Sequence, residues 1–444
     1  MNGKLDAAHS IVHRTGIPQG WREYSVSEVV RIEGGGTPDR DESIYWRDGT
    51  IPWITPTDLT ANTGKNITSG AESISEAGLQ NSNATLVPIG SIVFSTRGTV
   101  GNMAIAGTPL TCNQSCEVLM PKPEVVNSDF LYYLLGYGMS AFHRLSGGTT
   151  FGAITRRDIG RVRFAFPPPN EQAAIARILD AVDAAIERAW EAVEQARSLA
   201  NALIVDLLHK GIDEQGRVRQ PEREEAGEFQ VTEIGSLPVS WTVAKLSQVA
   251  EVERGRFSPR PRNDPRFYNG PFPFVQTGQI AKAKGRVITD FSQTLNDAGK
   301  SVSREFPAGT IMVTIAANIG ETAILGVPMC APDSLVGVVV KPPHSPRYVE
   351  LCLRRLQPKL LALATRSAQA NINLTTLKPL RIPMPPPDEQ WRIAKIVDAA
   401  EAYIQKLEGK GIALEELKKS LLHDLLTGQV RVSPVLLETL PENP

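Results

Sequence analysis

The chain has 444 residues, of which 41% are hydrophobic, and its formal net charge at pH 7 is −1. This length and apolar content predict two or more globular domains and exclude a disordered chain. The charge excludes a surface that is basic throughout, so contact with nucleic acid would need local patches. No apolar run reaches the roughly 18 residues of a membrane span, and the first residues lack the apolar core of a signal peptide. We therefore expect a cytoplasmic protein.

The segment before the first proline block carries the signals of a mixed α/β domain. Residues 91–95 and 117–120 are rich in β-branched and apolar side chains, which predicts two strands. Residues 129–145 are rich in Leu and Tyr and are helical in character. The glycines of RIEGGGTP, at residues 31–38, lack the spacing of a dinucleotide-binding loop and predict a flexible turn.

The block PPPNEQ, at residues 167–172, is predicted to end a strand and to begin a long helix. Its prolines remove backbone donors, and Asn170 is the predicted helix cap. The helix is expected over residues 171–208, because apolar residues recur alternately four and three positions apart, as in a coiled coil. This seam consists of Ile175, Leu179, Val182, Ile186, Ala189, Val193, Ala196, Ala200, Leu203 and Leu207. Residues 213–233, which are acidic and contain Pro221 and Gly227, predict an exposed linker.

The second half of the chain repeats the first. Trp241 is the counterpart of Trp21, and PPPDEQ at residues 385–390 is the counterpart of PPPNEQ. Residues 310–315 and 335–340 predict strands, and residues 347–365 are helical in character. Asp388 is the predicted cap of a second long helix over residues 389–426.

The second helix carries a matching seam. Eight of its ten positions are apolar, and Gly411 and Lys418 interrupt it; Gly409 and Gly411 predict a kink. The apolar positions are Ile393, Val397, Ala400, Ile404, Leu407, Leu414, Leu421 and Leu425. The shared phase predicts that the helices pair with each other, antiparallel, as a rigid spacer between two lobes. The alternative is that each helix packs separately on its own domain.

Catalytic motifs are missing from the sequence. It contains no phosphate loop of the GxxxxGK[ST] type and no amino-methyltransferase motif, and Glu408-Gly409-Lys410 resembles a nuclease site only superficially. Cys112, Cys116, Cys330 and Cys352 are not spaced as metal ligands and predict buried free thiols. We expect no catalytic and no metal-binding residues in this chain.

Signals for DNA binding are local. Arginines and prolines between residues 254 and 266 predict a basic loop, and Arg, Asn, Gln and Thr, which read base edges, gather before each proline block. In the first half the candidates are Thr37, Arg40, Arg97, Arg144, Thr149, Thr150 and Arg156. In the second half they are Arg256, Arg260, Arg262, Arg266, Lys282, Lys284, Arg286, Arg366, Gln369 and Asn371. Two similar lobes with unlike loops would read two different short sequences, at a separation that the spacer fixes.

These features together resemble the specificity subunits of type I restriction-modification systems. The resemblance covers residues 16–432 and is carried by the duplicated PPP[ND]EQ blocks with their helices, the endings LLHKG and LLTG, and the turn STRGTVG at residues 95–101. It implies two pseudo-two-fold related α+β target-recognition domains joined by two long antiparallel helices. The implied domains are 16–166 and 235–384, the central helix 167–211, the linker 212–234, the C-terminal helix 385–430, and tails at 1–15 and 431–444.

The resemblance also implies partners and cofactors. It implies a non-catalytic subunit that reads a bipartite site on double-stranded DNA, binds two modification subunits through its helices and joins restriction subunits. S-adenosylmethionine, ATP and Mg are then expected on those partners, and none on this chain. Three alternatives stay open: a protein-only coiled-coil scaffold, the specificity subunit of a related bipartite-site restriction enzyme, and a methyltransferase or nuclease acting alone.

Overall fold

The computed structural model describes residues 16–145, 153–220, 228–259, 261–316, 318–364 and 371–433. The chain divides into two compact units. Residues 1–190 and 409–444 belong to the first unit, and residues 191–408 belong to the second. Each unit therefore combines one lobe with parts of both long helices.

The lobe of the first unit is built from short strands and helices. Its strands are β1 (Arg22–Ser25), β2 (Val30–Gly34), β3 (Ile51–Ile54), β4 (Asn66–Ile67), β5 (Glu72–Ile74), β6 (Ile92–Ser95), β7 (Met103–Ala106), β8 (Thr111–Cys112), β9 (Cys116–Pro121) and β10 (Arg163–Phe166). Its helices are α1 (Val26–Val29), α2 (Pro56–Ala61), α3 (Glu76–Gln80), α4 (Ser128–Tyr137), α5 (Met139–Leu145) and α6 (Arg156–Arg161), and α7 (Pro169–Lys210) follows. A 3₁₀ turn covers Ser43–Tyr45.

The lobe of the second unit has the same kinds of element. Its strands are β11 (Phe229–Thr232), β12 (Gly235–Pro238), β13 (Thr242–Lys245), β14 (Ala250–Arg254), β15 (Tyr268–Phe274), β16 (Val287–Ile288), β17 (Gln293–Leu295), β18 (Arg304–Phe306), β19 (Ile311–Thr314), β20 (Thr322–Leu325), β21 (Met329–Ala331), β22 (Leu335–Val340) and β23 (Arg381–Met384). Its helices are α8 (Leu246–Val249), α9 (Thr277–Ala283), α10 (Asp297–Ser301), α11 (Pro346–Arg355), α12 (Gln357–Ala364) and α13 (Leu374–Leu377), and α14 (Pro387–Leu426) follows. A 3₁₀ turn covers Pro265–Phe267.

The repeat in the sequence is also a repeat of sheet topology. The five-stranded sheet has the order β2-β9-β6-β7-β4 in the first unit and β14-β22-β19-β20-β16 in the second, with corresponding strands in corresponding places. A second sheet has the order β5-β3-β8 in the first unit and β17-β15-β21-β18 in the second. The mixed α/β class with two long helices is therefore confirmed, and so are the four predicted lobe strands, which are β6, β9, β19 and β22.

The long helices pair in antiparallel fashion within each unit. In the first unit Trp190 Nε1 donates to Glu415 Oε1 at 2.9 Å, and Lys418 Nζ lies 2.5 Å from Asp183 Oδ1. In the second unit Arg197 Nη2 lies 2.5 Å from Glu408 Oε1. The alternative in which each helix packs separately is therefore wrong.

The two helices also belong to the cores of the lobes. Ile175, Leu179 and Leu425 are buried with the aromatic core of the first lobe, and Leu207 and Ile393 with the core of the second. All positions of the two seams are buried or half-buried. An apolar stripe is thus shared between helix pairing and lobe packing, which ties each lobe firmly to its helices.

The helix starts correct one prediction. Asn170 and Asp388 are not caps, because the helices already begin at Pro169 and Pro387, two residues before the predicted starts. Proline is favoured in the first turn, where its missing N–H costs no hydrogen bond and its fixed φ already suits the helix. The third proline of each block therefore begins the helix, whereas the first proline directly follows the last residue of the strand.

Helix α14 continues without interruption through Gly409 and Gly411, where a kink is predicted. Gly411 is buried, and a Cβ there would lie 3.1 Å from the indole of Trp190. The glycine interrupts the seam because the partner helix fills that position with a tryptophan. Nothing lies within 4 Å of a Cβ at Gly409.

The predicted linker is exposed at residues 214–217, and its N-terminal end is held against the second unit. Ile212 is fully buried and forms a bridge with Val218, and Arg219 lies 2.6 Å from Glu389. The chain therefore folds back against the start of α14 before it continues. Residues 221–227, which carry three of the seven acidic side chains of residues 213–233, lie outside the described residues.

Candidate nucleic-acid interface

The Glu-Gln pair of each proline block anchors a lobe to the helices. Gln172 Nε2 donates to the Val125 carbonyl at 3.0 Å, and its Oε1 accepts from Asn127 N at 2.9 Å. In the second unit Gln390 Oε1 accepts from Ser345 N at 3.1 Å. Asn127 and Ser345 are the N-caps of α4 and α11. The repeated glutamine thus joins the first turn of a long helix to the first turn of a lobe helix.

The repeated glutamate joins the start of one long helix to the end of the other. Glu171 accepts two hydrogen bonds of 2.7 Å from Arg431. Glu389 accepts from Arg219 at 2.6 Å, from Ile212 N at 2.9 Å and from Trp241 Nε1 at 3.1 Å. The repeated PPP[ND]EQ motif therefore has a structural role, which is to position the lobes on the helices.

In each lobe, the residues just before α6 or α13 contact the turn that follows β6 or β19. In the first unit Ile154 N donates to the Thr96 carbonyl at 3.1 Å, which brings the end of the loop before α6 against the turn after β6. In the second unit Ile372 N donates to the Ile315 carbonyl at 3.1 Å, at the matching place. In the first unit, the turn that carries Arg97 thus lies against the residues just before Arg156.

Arg97 lies in this turn of the first unit and is exposed. Beside it is a polar group that sequence reasoning missed: Asn102 Nδ2 donates to Thr60 Oγ1 at 2.8 Å, and Thr60 Oγ1 lies 3.3 Å from Thr99 Oγ1. Thr60 lies near the end of α2, far from Arg97 in sequence. Only the position of Asn102 and Thr99 in the STRGTVGN turn could have indicated it.

Other candidates of the first unit have structural partners. Arg40 forms two hydrogen bonds with Glu72, of 2.6 and 2.9 Å, and its guanidinium lies 3.8 Å from the centre of the Trp46 ring. Thr37 donates to Gln114. Arg156 Nε lies 2.9 Å from Glu117 Oε2. Arg144 is exposed, at the end of α5.

Five candidates lie outside the described residues: Thr149, Thr150, Arg260, Arg366 and Gln369. Asn371 is described and is exposed, next to the buried Ile372. The neighbouring Asn373 caps α13, since its Oδ1 accepts from Thr376 N at 3.0 Å. Asn373 is thus an N-cap, as Thr155 is for α6.

The basic loop of the second unit is held by hydrogen bonds and ion pairs of its own arginines. Arg256 Nη2 donates to the Ser303 carbonyl at 3.1 Å, and Arg266 forms an ion pair of 2.6 Å with Asp264. Arg262 lies 2.7 Å from Asp333, an acid that the local sequence did not reveal. These arginines hold the loop, and Arg262 and Arg266 are still exposed.

Next to this loop lies a polar groove that sequence reasoning also missed. It has a volume of about 380 Å³ and is lined by Asn263, Pro265, Tyr268, Asn269, Phe291, Ser292, Gln293 and Thr294. Side-chain amides offer both a donor and an acceptor, the pattern that pairs with adenine, and the exposed ring of Phe291 adds an apolar surface. Only the run FSQT, at residues 291–294, could have indicated it in the sequence.

Lys282, Lys284 and Arg286 lie elsewhere, in a cavity between the second lobe and the helix pair of the same unit. All three are exposed. Arg286 Nε donates to the Ala283 carbonyl at 3.0 Å, and Lys284 has the left-handed backbone φ of 49°.

The glycines of RIEGGGTP serve close packing. A Cβ at Gly35 would lie 2.1 Å from the carbonyl oxygen of Asn113, and one at Gly255 would lie 2.2 Å from that of Pro332. The prediction of a flexible turn is wrong here, because Gly35 N donates to the Cys116 carbonyl at 3.1 Å. The backbone lies against its neighbour in both units.

The four cysteines are free and buried, as predicted. Burial raises the pKa of Cys112 to about 12 and that of Cys352 to about 12, so both thiols are protonated at neutral pH. In the described ranges, no group of three or more His, Cys, Asp or Glu side chains is arranged to hold a metal ion. None of the helices in those ranges combines the length and the apolar character that a membrane crossing requires.

Comparisons with known proteins agree with this architecture. Residues 18–194 and 238–416 match the family model described as the type I restriction modification DNA specificity domain. The specificity subunit of the type I restriction enzyme MjaIX from Methanocaldococcus jannaschii is 26% identical over 421 residues, which cover 94% of this chain and 95% of that protein. The EcoDI specificity subunit from Escherichia coli is 22% identical over 93% of this chain and 89% of its own length.

Solved structures show the same fold. A chain from a study of complex assembly and conformational transition of the type I R-M system matches with a TM-score of 0.58 and 19% identity, covering 94% of this chain and all of that one. The S subunit of a type I restriction-modification system from M. genitalium matches with a TM-score of 0.55 and 15% identity, covering 94% and 98%. Since the family model matches both halves of the chain, the protein belongs to the family of type I restriction-modification DNA specificity subunits.

Proposed function

We propose that this chain reads a bipartite DNA site without catalysing a reaction itself. The two recognition domains are proposed to be residues 16–166 and 235–384, each reading one segment. The observation that carries the proposal is that corresponding strands occupy corresponding places in both lobes, while the side chains at the loop edges differ. A common framework with different polar side chains is what two different base sequences require.

In the first lobe, the proposed contacts lie in the turn after β6. Arg97 is exposed there, beside the hydroxyls of Thr60 and Thr99 and the amide of Asn102. Arginine favours guanine, and hydroxyls bind either base edges or phosphates. Arg144, Thr149 and Thr150 stay proposed contacts of the same lobe.

In the second lobe, the proposed contacts are the groove beside the basic loop and the loop before α13. Asn263, Asn269 and Gln293 present amides to the groove, and Arg262 and Arg266 lie close to it in sequence. Amides favour adenine, so the two lobes are proposed to differ in base preference. Arg260, Arg366, Gln369 and Asn371 stay proposed contacts of the same lobe.

The helices are proposed to set the distance between the two DNA segments and to bind two modification subunits. Helix α7 has 42 residues and α14 has 40. At about 1.5 Å per residue, each is roughly 60 Å long, longer than packing on one lobe requires. Deleting four residues from both helices removes about one turn, so the gap between the DNA segments should shorten; an unchanged gap would contradict the spacer.

Methylation and cleavage are proposed to reside on partner subunits. S-adenosylmethionine, ATP and Mg would then bind those modification and restriction subunits. Because the proposed substrate is double-stranded DNA, the proposed place of action is the cytoplasm. Incubating the purified chain alone with DNA and labelled S-adenosylmethionine should transfer no methyl groups, and transfer would contradict this part of the proposal.

The experiment that tests the proposal is selection of bound duplexes from a randomised library by the full-length chain with its modification subunits. We expect a motif of two specified segments separated by a constant unspecified gap. Uniform, salt-sensitive affinity without any motif would favour a protein-only scaffold instead. A single continuous motif would contradict the division of labour between the lobes.

A further inference from the structure

A cavity of about 460 Å³ lies in the second unit, where residues 282–286 of the lobe face the paired helices. Five cationic and two acidic side chains line it, together with the amides of Asn201 and Gln405. The cations are Arg197, Lys282, Lys284, Arg286 and Arg354, and the acids are Glu401 and Glu408. This excess of positive charge is local, because the formal net charge of the chain is −1.

Both carboxylates of the cavity already have partners. Glu408 lies 2.5 Å from Arg197. Glu401 lies 2.8 Å from Arg354 and also accepts from Arg347. The surplus positive charge is therefore carried by the exposed side chains of the lobe segment, Lys282, Lys284 and Arg286.

The corresponding corner of the first unit is neutralised. Lys65 is the counterpart of Arg286 in the repeat and is held by Asp129 at 2.6 Å and by Asp180 at 2.5 Å. Positions 282 and 284 correspond to Ala61 and Thr63, which carry no charge. The unmatched cations are thus a property of the second unit, and the framework alone does not require them.

We propose that this cavity binds the phosphate backbone of duplex DNA, irrespective of its sequence, beside the segment that the second lobe reads. This inference rests on the proposed function and deepens it. Phosphodiester oxygens only accept hydrogen bonds, and the lining side chains of Lys282, Lys284, Arg286 and Asn201 all donate. The cations are exposed, which suits an extended polyanion better than a small anion enclosed by protein.

The experiment measures DNA affinity as a function of salt concentration, using the full-length chain with its modification subunits and a duplex that carries the selected motif. The test variant is K282Q/K284N/R286Q, with Asn at 284 because Asn tolerates the left-handed backbone there. Each lost phosphate contact should reduce the salt slope by about 0.9, so we expect a reduction of roughly two to three and an affinity roughly tenfold to a hundredfold weaker at low salt. The selected motif should stay the same.

The matched control neutralises three exposed lysines of the same lobe that do not line the cavity, K245Q/K341Q/K378Q. It should bind with nearly wild-type affinity and slope, and equal losses in both variants would overturn the proposal. A test variant with wild-type affinity and slope would also overturn it, as would a variant that binds DNA normally and no longer retains the modification subunits, since the cavity would then bind an acidic protein surface. A wild-type complex without sequence preference would instead contradict the proposed function.

Discussion

The two units attach their lobes to the helices at the same places with different charges. Asp180 and Asp183 of α7 correspond to Asp398 and Glu401 of α14, in the alignment that superposes the two proline blocks. In the first unit these acids form ion pairs with Lys65 and Lys418 and accept a hydrogen bond from Tyr133. In the second unit they meet Arg347, which comes from a lobe helix.

The difference shows what the repeat preserves. Position 129 is an aspartate in the first unit, and the matching position 347 is an arginine, so the sign of the charge is reversed at an equivalent place in the framework. Acidic positions on the helices are retained, and each lobe supplies its own cations. A junction of this kind keeps the lobe in the same position on the helices, although the residues that the lobe supplies differ.

The largest expected effect distinguishes the two junctions. Arg347 is buried and bonded to Glu350, which is fully buried, and to Asp398 at 2.7 Å. Burial raises the pKa of Glu350, and the charges of Arg354 and Arg347 oppose that rise. Replacing Arg347 by Met leaves the buried Glu350 carboxylate without its shortest ion pair, and we expect about 3–5 kcal/mol of lost stability.

Lys65→Met is the matched variant for that comparison. Both acids that pair with Lys65 are partly exposed and can be solvated by water after the substitution. We therefore expect a loss of stability of about 1–2 kcal/mol. Urea unfolding of the full-length chain measures both values. Equal costs would show that the two junctions are energetically alike.

The second prediction concerns the repeated glutamate. Glu389→Gln weakens three hydrogen bonds in a buried site and should cost about 2–3 kcal/mol. Glu171→Gln affects only the partner Arg431, whose side chain is 42% exposed, and should cost about 1 kcal/mol or less. Thermal unfolding monitored by circular dichroism compares them, and a larger loss for Glu171→Gln would reverse the order that burial predicts.

The third prediction uses the two glycines of α14. Gly409→Ala should stabilise the chain by about 0.5–1 kcal/mol, because alanine favours a helix and space is free around it. The Gly411→Ala variant should be less stable than Gly409→Ala by at least about 1 kcal/mol. The indole of Trp190 is held by its hydrogen bond to Glu415 and cannot easily move away from the added methyl group. Chemical denaturation of both variants gives the difference; equal gains would mean that the indole does not need the glycine.

The smallest expected effect concerns the loss of stability at acidic pH. Arg40 lowers the pKa of Glu72 below its usual 4.5, so this pair stabilises the first lobe above that pH and stops doing so as the pH falls through the lowered pKa. The matching residue of the second lobe, Gln293, does not titrate. Since the Glu72 side chain is 46% exposed, we expect the pair to contribute less than about 1 kcal/mol to the stability. Stability measured between pH 3 and 6 should lose this part of its pH dependence in Glu72→Gln, and an unchanged profile would contradict the assignment.

The sequence predicted the framework well because periodic apolar patterns and proline blocks depend on local chemistry. The strand at residues 335–340 and the helix pairing follow from such patterns, and both are present. The helix caps were misplaced, since Asn170 is a good cap and Pro169 is an equally good first helical residue.

The candidate interface was harder to predict, because its partners are distant in sequence. Arg40 is a candidate DNA contact in the sequence, and only the fold places Glu72 and Trp46 beside it. The groove with Asn269 and Gln293 joins two strands that no local pattern connects. Heptad periodicity specifies a helix, whereas a base-reading surface depends on which loops the fold brings together.

The central claim is that two lobes on one framework read two different DNA segments. Replacing residues 16–166 by a copy of residues 235–384 tests it most directly, with methylated adenines mapped by long-read sequencing in a strain that carries the partner subunits. The account predicts a motif whose two segments are now copies of one of the original segments. A methylated motif identical to that of the wild type would contradict it.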